Sequence, residues 1–419
     1  MKTYLSSVLL LCAFSFSSIA ATKKVLFIGN SYVYVNNLPQ VVADIAASTG
    51  DTLVFDANAV GGYRLMDHSV DVTTLTKIAA GNWDFVVLQE QSQAPSFPIG
   101  QVQTDVLPYA HLLDSLIHVS SPCAKTLFYM TWGRKNGDAS NCGSWPPVCT
   151  YLGMDSLLRE RYLMMANDNH GLVAPAGPIW RKLRTNNPTI ELYQSDESHP
   201  SEAGTYAIGC GFYAIIFQKN PMNISYNYTL AANDAQAVRT AAKAVAYDSL
   251  AYWNIGKFLP NADFQFNTIA NLQVSFTNNS QFATTYAWNF GDGNTSTQTN
   301  TVHIYAASGT YQVRLIASKC GKLDTTIKSV TVTSTGIHET SNTVIAIYPN
   351  PVSNEMKIVG SWKNTSSIIV TNVEGKSMNV SPRINDSEMI ITTEQLASGV
   401  YFLIIEKDGK EYKGKFVKE

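Results

Sequence analysis

The chain has 419 residues, of which 45% are hydrophobic and 15% charged, and its formal net charge is -2. This balance supports buried cores and excludes a disordered polyelectrolyte, and it provides no strong field for nucleic acid or an anionic lipid surface. At ordinary domain sizes the length predicts about three domains.

The chain opens on Lys2, passes through the apolar run Val8-Leu9-Leu10-Leu11-Cys12-Ala13-Phe14, and reaches the small residues Ser18 and Ala20. A basic start, a short apolar segment and a small-residue cleavage site predict a secretory signal peptide over residues 1–20. No later run reaches the roughly 18 apolar residues of a membrane helix, so no transmembrane segment is expected after its removal. Cys123, Cys142, Cys149, Cys210 and Cys320 then remain. An odd number in an oxidising compartment leaves at least one thiol unpaired or paired outside the chain. Cys142 and Cys149 are the candidate disulfide, because they bracket the Gly/Ser/Pro-containing segment Gly143–Val148. The scattered histidines form no Cys/His cluster of metal-ligand spacing, so neither metal nor cofactor is expected.

From residue 23 to about 217, apolar runs alternate with amphipathic stretches, the pattern of βα units. Strands are expected at 24–29, 52–57, 84–89, 125–131 and 171–175. Helices are expected near 38–49, 70–80, 101–119 and 151–168, with another starting near Ser201. This is a three-layer α/β domain with a parallel sheet, whose ligand crevice lies outside the carboxyl ends of the strands. Ser31, Gly61, Gln89 and Trp132 fall at or just after such ends. The Ala-rich stretch from Ala231 to about Leu259 reads as helix packed back on the same domain.

Gly29-Asn30-Ser31-Tyr32 directly follows the buried run Val25-Leu26-Phe27-Ile28, which places a hydroxyl on a sharp turn at the sheet edge. By itself such a turn is commonly just a helix cap. A serine nucleophile needs a base and a group to orient that base. Asp196-Glu197-Ser198-His199 supplies both, with His199 as base, Asp196 as orienting carboxylate and Glu197 as its local competitor. The loop from Trp132 to Tyr151 is the expected specificity element. There Trp132 and Trp145 offer aromatic faces for sugar rings and Arg134 a partner for a carboxylate, unless both tryptophans only pack the loop.

Four blocks, Gly29-Asn30-Ser31, Val60-Gly61-Gly62, Gln89-Glu90-Gln91-Ser92 and Asp196-x-x-His199, resemble those of the SGNH/GDSL hydrolases in their order over residues 23 to about 217. The resemblance implies a flavodoxin-like fold and a serine esterase in which Ser31 is nucleophile and first oxyanion donor. It further implies Gly61 or Gly62 as a second donor, Asp196 as orienter and His199 as base. Asn30 stands where the name-giving pattern has aspartate. The third block lacks the family's asparagine, so Gln89 or Gln91 is the expected third oxyanion donor.

Beyond Pro260 helical spacing gives way to short alternating runs, as in Tyr311, Val313 and Leu315 against Gln312 and Arg314. Tyr286-Ala287-Trp288-Asn289-Phe290-Gly291-Asp292-Gly293 resembles a polycystic-kidney-disease (PKD) type sandwich. Its Asp292 reads as a turn residue, not a calcium ligand. Tyr348-Pro349-Asn350-Pro351, Leu396–Tyr401 and Lys415–Lys418 are similar to the C-terminal sorting domains of the Bacteroidetes type IX secretion system. The expected organisation is a signal peptide at 1–20, an SGNH-hydrolase domain at 21–258, a PKD-like β-sandwich at 259–335 and a sorting domain at 336–419, so the α/β domain precedes two small all-β sandwiches. The resemblances imply a secreted or outer-membrane surface-attached protein, with the type IX machinery and an acylated carbohydrate or other small ester as partners. The competing expectation is a glycan-binding or adhesion protein that has lost catalysis.

Overall fold

The computed structural model describes residues 20–269, 272–333 and 343–419; but for its last residue, the expected signal peptide lies outside them. The chain forms two compact units. One runs to Gln265 and adds Thr277–Thr299 and Val313–Lys328; the other comprises Phe266–Phe276, Asn300–Gln312 and Ser329–Glu419.

The first unit is built on five parallel strands, β1 (Thr22–Gly29), β2 (Thr52–Ala59), β3 (Phe85–Leu88), β4 (Lys125–Met130) and β5 (Leu172–Pro175), in the order β2-β1-β3-β4-β5. All of β3 and β5 is buried, as expected of short apolar runs covered on both faces. Its helices are α1 (Ser31–Tyr34), α2 (Leu38–Ala47), α3 (Leu65–His68), α4 (Val72–Ala79), α5 (Ile99–Asp105), α6 (Leu107–Ser120), α7 (Tyr151–Asp168), α8 (Ala176–Asn186), α9 (Glu202–Phe217) and α10 (Ala232–Ala242). The helices α2, α8 and α10 pack on α9, whereas α4 and α7 pack on α6, which gives the helical layers around the sheet. Every residue of α9 from Gly204 to Phe217 is buried, so this helix is a core element.

Three local expectations change. The helix near 101–119 is two helices, because Pro108 has no N–H to continue the first one and instead sits in the opening turn of α6. Helix α8 was not among the expected elements; Gly177 and Pro178 lie in its first turn, where proline is tolerated. The Ala-rich stretch is helical only to Ala242, then widens into a π turn at Lys243–Tyr247 and a 3-10 turn at Leu250–Trp253.

Beyond Phe264 the sheets are almost wholly antiparallel, in sets of three, four, five and three strands. In the last of the long hairpins, Gly399–Lys407 pairs with Lys410–Lys418. Asp408 and Gly409 turn it with φ of 51° and 72°, the two positive values a tight hairpin turn requires. A second core gathers Met356, Ile358, Met389, Ile391, Leu403 and Phe416. Disulfides join Cys142 to Cys149 and Cys123 to Cys320, and Cys210 is a buried free thiol. The second bridge was not anticipated, because a separation of 197 residues leaves no local trace.

Candidate active site

The order β2-β1-β3 makes the carboxyl end of β1 the point where the connections diverge, and that is where an α/β sheet opens a crevice. Ser31 sits there as the first residue of α1. Asn30 before it accepts from Tyr32 N–H at 3.2 Å, which caps the turn. The Asn30 amide also donates to the Tyr63 carbonyl at 2.9 Å. A carboxylate cannot make that bond, so asparagine at this position ties the Ser31 turn to the loop after Gly61-Gly62.

The Ser31 Oγ lies 2.8 Å from His199 Nε2, and His199 Nδ1 is hydrogen-bonded to Asp196 Oδ2. With the carboxylate on Nδ1, that nitrogen carries the proton and Nε2 offers its lone pair to the serine. Asp196 Oδ1 meanwhile accepts from the N–H groups of Ser198 and His199 at 3.1 and 3.0 Å, which shapes the turn that aims the imidazole. Partial burial pushes the Asp196 carboxyl up, but the bonds from the His199 ring and these two N–H groups together hold it below the ordinary carboxylate value. Glu197 is no rival. Its carboxylate accepts from Asn136 at 2.8 Å and its carbonyl from Lys135 N–H at 2.9 Å, while its backbone takes φ of 61°.

An aromatic column supports the turn from below. Tyr32 stacks on Trp132 at 4.6 Å, Trp132 on Trp180 at 3.9 Å, and Tyr32 meets the His199 ring edge-on at 5.5 Å. The Tyr32 hydroxyl bonds to Ser198 Oγ at 2.7 Å and Trp132 Nε1 donates to the Ser198 carbonyl at 3.1 Å. Trp132 is therefore fully buried scaffold. The expectation that it contacts substrate is corrected: a ring sandwiched between two others has no free face. Trp145 is half-buried and donates to the Ser96 carbonyl at 2.9 Å, holding the disulfide-closed loop down. Arg134 is half-buried beside Asp138, 3.5 Å away.

Gly61 and Gly62 are exposed, and among the described residues neither their N–H groups nor that of Ser31 has an acceptor. Gln89 is corrected as an oxyanion donor. It is fully buried, its Oε1 accepts from Asn30 N–H at 2.9 Å, and its amide donates to the Glu90 carbonyl. A Cβ on Gly29 would stand 2.5 Å from that Oε1, so Gln89 is a strut under the Ser31 turn and Gly29 is the residue that admits it. Gln91 is half-buried, and its amide donates weakly to Ser92 Oγ at 3.4 Å and Gln93 Oε1 at 3.2 Å.

The sequence pattern did not reveal three further residues. His68 is buried and donates from Nε2 to the Gly29 carbonyl at 2.8 Å while its Nδ1 accepts from Thr74 Oγ1, and burial lowers its pKa. Asp138 is a buried hub that accepts from Gln93 at 2.6 Å and Asn141 at 2.7 Å. Glu90 accepts from the N–H groups of Gln91 at 2.6 Å and Leu65 at 3.3 Å, joining the third block to the entry of α3. Each is a polar residue in an apolar setting, a signal that becomes readable only once burial is known.

Burial pushes the Glu90 carboxyl from 4.5 up to about 7, against the opposing pull of the Gln91 N–H, the Arg64 charge and the Leu65 N–H. Between these values the folded chain holds a proton that the unfolded chain has released, so this group makes stability fall as pH rises from about 4.5 to about 7. Replacing Glu90 by Gln should remove that slope. Denaturant unfolding at pH 5 and pH 8 should show the wild type losing about 2.5 kcal/mol more than Glu90→Gln.

Residues 257–334 match the family model described as PKD domain, and residues 346–419 match that of the secretion system C-terminal sorting domain. The chain carries an export tail. The protein is thus sent out of the cell through the type IX machinery, to be released or held at the surface. No helix among the described residues is long and apolar enough to cross a membrane. A search of curated proteins found no match. Among solved structures, the chain is similar to a DUF4886 family protein from Bacteroides uniformis, at 17% identity and TM-score 0.48, over 56% of this chain and 96% of that one. A candidate SGNH hydrolase from Slackia heliotrinireducens matches at 24% identity and TM-score 0.39, over 46% and 97% of the two chains. A variant of the acetyl xylan esterase Axe2 from Geobacillus stearothermophilus matches at 15% identity and TM-score 0.32, over 47% and 96%.

Proposed function

We propose that the protein is an exported serine ester hydrolase that removes acetyl or other small acyl groups from a carbohydrate. The observation that carries this reading is the continuous chain Ser31–His199–Asp196, drawn from elements 165 or more residues apart and placed at the switch point of the sheet. Ser31 Oγ attacks the ester carbonyl as its proton passes to His199 Nε2, and the carbonyl oxygen becomes an oxyanion facing the N–H groups of Ser31 and Gly61. The sugar hydroxyl leaves with the proton from His199. Water then repeats the sequence on the acyl-serine, releasing the acid and restoring Ser31. Export and the appended sandwich favour an extracellular glycan as the carrier.

A fluorophosphonate probe tests the reading: peptide mapping should find the adduct on Ser31, and an adduct elsewhere or none removes the mechanism. In the same reading Gln91 supplies the third oxyanion donor, because its amide bonds are long enough to be exchanged. Gln91→Ala should lower kcat about a hundredfold, with a stability cost of about 1 kcal/mol because the Gln91 Oε1 also accepts from the N–H groups of Gln93 at 2.8 Å and Ala94 at 3.1 Å. Gln89→Ala should instead lower stability by about 1–3 kcal/mol, since it strips a buried N–H of its acceptor. Steady-state kinetics separate these roles, since the large kcat loss belongs to Gln91→Ala alone, and thermal unfolding checks that both variants remain folded.

A further inference from the structure

With Trp132 buried in the column and Trp145 bound to the Ser96 carbonyl, Tyr34 stands out as a large exposed aromatic side chain on the Ser31 turn itself. Tyr34 lies three residues after Ser31 on the same single helical turn, a spacing that puts both side chains on one side. It is 51% exposed, and its hydroxyl stands 3.3 Å from where a Cβ on Gly61 would be. Among the described residues that hydroxyl has no hydrogen-bond partner. The ring therefore reaches from the nucleophile turn to the exposed glycine turn, with one face in solvent and a free polar tip.

A single exposed tyrosine needs no explanation by itself. This one borders the serine on one side and an acceptor-free backbone N–H on the other, so any ester whose carbonyl reaches both groups brings its alcohol portion close to the ring. We propose that Tyr34 is the specificity residue for the alcohol side of the substrate. Its ring stacks on the C–H face of the sugar that carries the acyl group, and its hydroxyl bonds to a neighbouring sugar hydroxyl. This inference rests on the esterase reading above.

The test compares the full chain with Tyr34→Ala and Tyr34→Phe on a monoacetylated methyl glycoside and on ethyl acetate, which has no ring to stack. The ratio of kcat/KM for the sugar ester to that for ethyl acetate should fall about ten- to thirtyfold in Tyr34→Ala, mainly through KM. It should fall only about threefold in Tyr34→Phe, which keeps the ring and loses one hydrogen bond. An unaltered ratio in Tyr34→Ala overturns the inference and leaves the esterase reading standing. A wild type that hydrolyses neither ester overturns both.

Discussion

Ser31→Ala should lower turnover of an acetyl ester by about 10⁴- to 10⁶-fold, the range seen when a triad loses its nucleophile. The loss is chemical and not structural. The Ser31 hydroxyl has one hydrogen bond among the described residues, to His199, whereas the turn itself is held by Gln89 on Asn30 N–H, by the Asn30 cap on Tyr32 N–H and by His68 on the Gly29 carbonyl. The variant should therefore keep its thermal transition and its substrate affinity. Some activity above the uncatalysed rate should survive, because in the proposed mechanism the N–H groups of residue 31 and Gly61 remain to stabilise the developing oxyanion. Kinetics on an acetylated glycoside, paired with fluorophosphonate labelling, decide the matter. Labelling of Ser31→Ala at the wild-type rate would take Ser31 out of the mechanism, whereas a wild type that neither labels nor hydrolyses the ester would favour the binding-protein alternative.

Asp196→Asn should cost about a hundred- to ten-thousandfold in kcat, less than the nucleophile because the Asp196 side chain is partly open to water that can take over part of its role. The reason is the tautomer. An asparagine amide can turn its N–H toward His199 Nδ1, which moves the ring proton to Nε2 and confronts the serine hydroxyl with a donor. Glu197→Gln is the informative partner, since its carboxylate faces Asn136 and not the imidazole. That variant should lose less than about tenfold by a slight loosening of the turn. The reverse order of the two effects would reassign the orienting carboxylate to Glu197.

The Asp138 hub shows how the two halves of the site are coupled. Gln93 reaches it from the third block, and the segment leading to it bonds Glu197 through Lys135 and Asn136, next to Asp196 and His199. The short disulfide Cys142–Cys149 closes the loop around this hub. The loop expected to set specificity thus also bonds the turn that carries Asp196 and His199.

Local pattern determined much of this protein. The buried run ending at Ile28, the turn Gly29-Asn30-Ser31 and the Asp196-x-x-His199 spacing are all short-range features, and alternating βα periodicity determines that such turns gather at one edge of a parallel sheet. Side-chain direction at the ends of strands was not determined in this way. Alternation would put Gln89 and Gln91 on the same side, but β3 stops at Leu88, so both lie beyond the pleat and turn toward whatever donors surround them. Tertiary structure alone decided that Gln89 props the nucleophile turn, that Trp132 disappears into an aromatic stack, and that Cys123 reaches Cys320. It also decided the 2.8 Å between Ser31 and His199, which are 168 residues apart. Contacts of that separation depend on how layers pack, and packing leaves no periodic trace in the sequence.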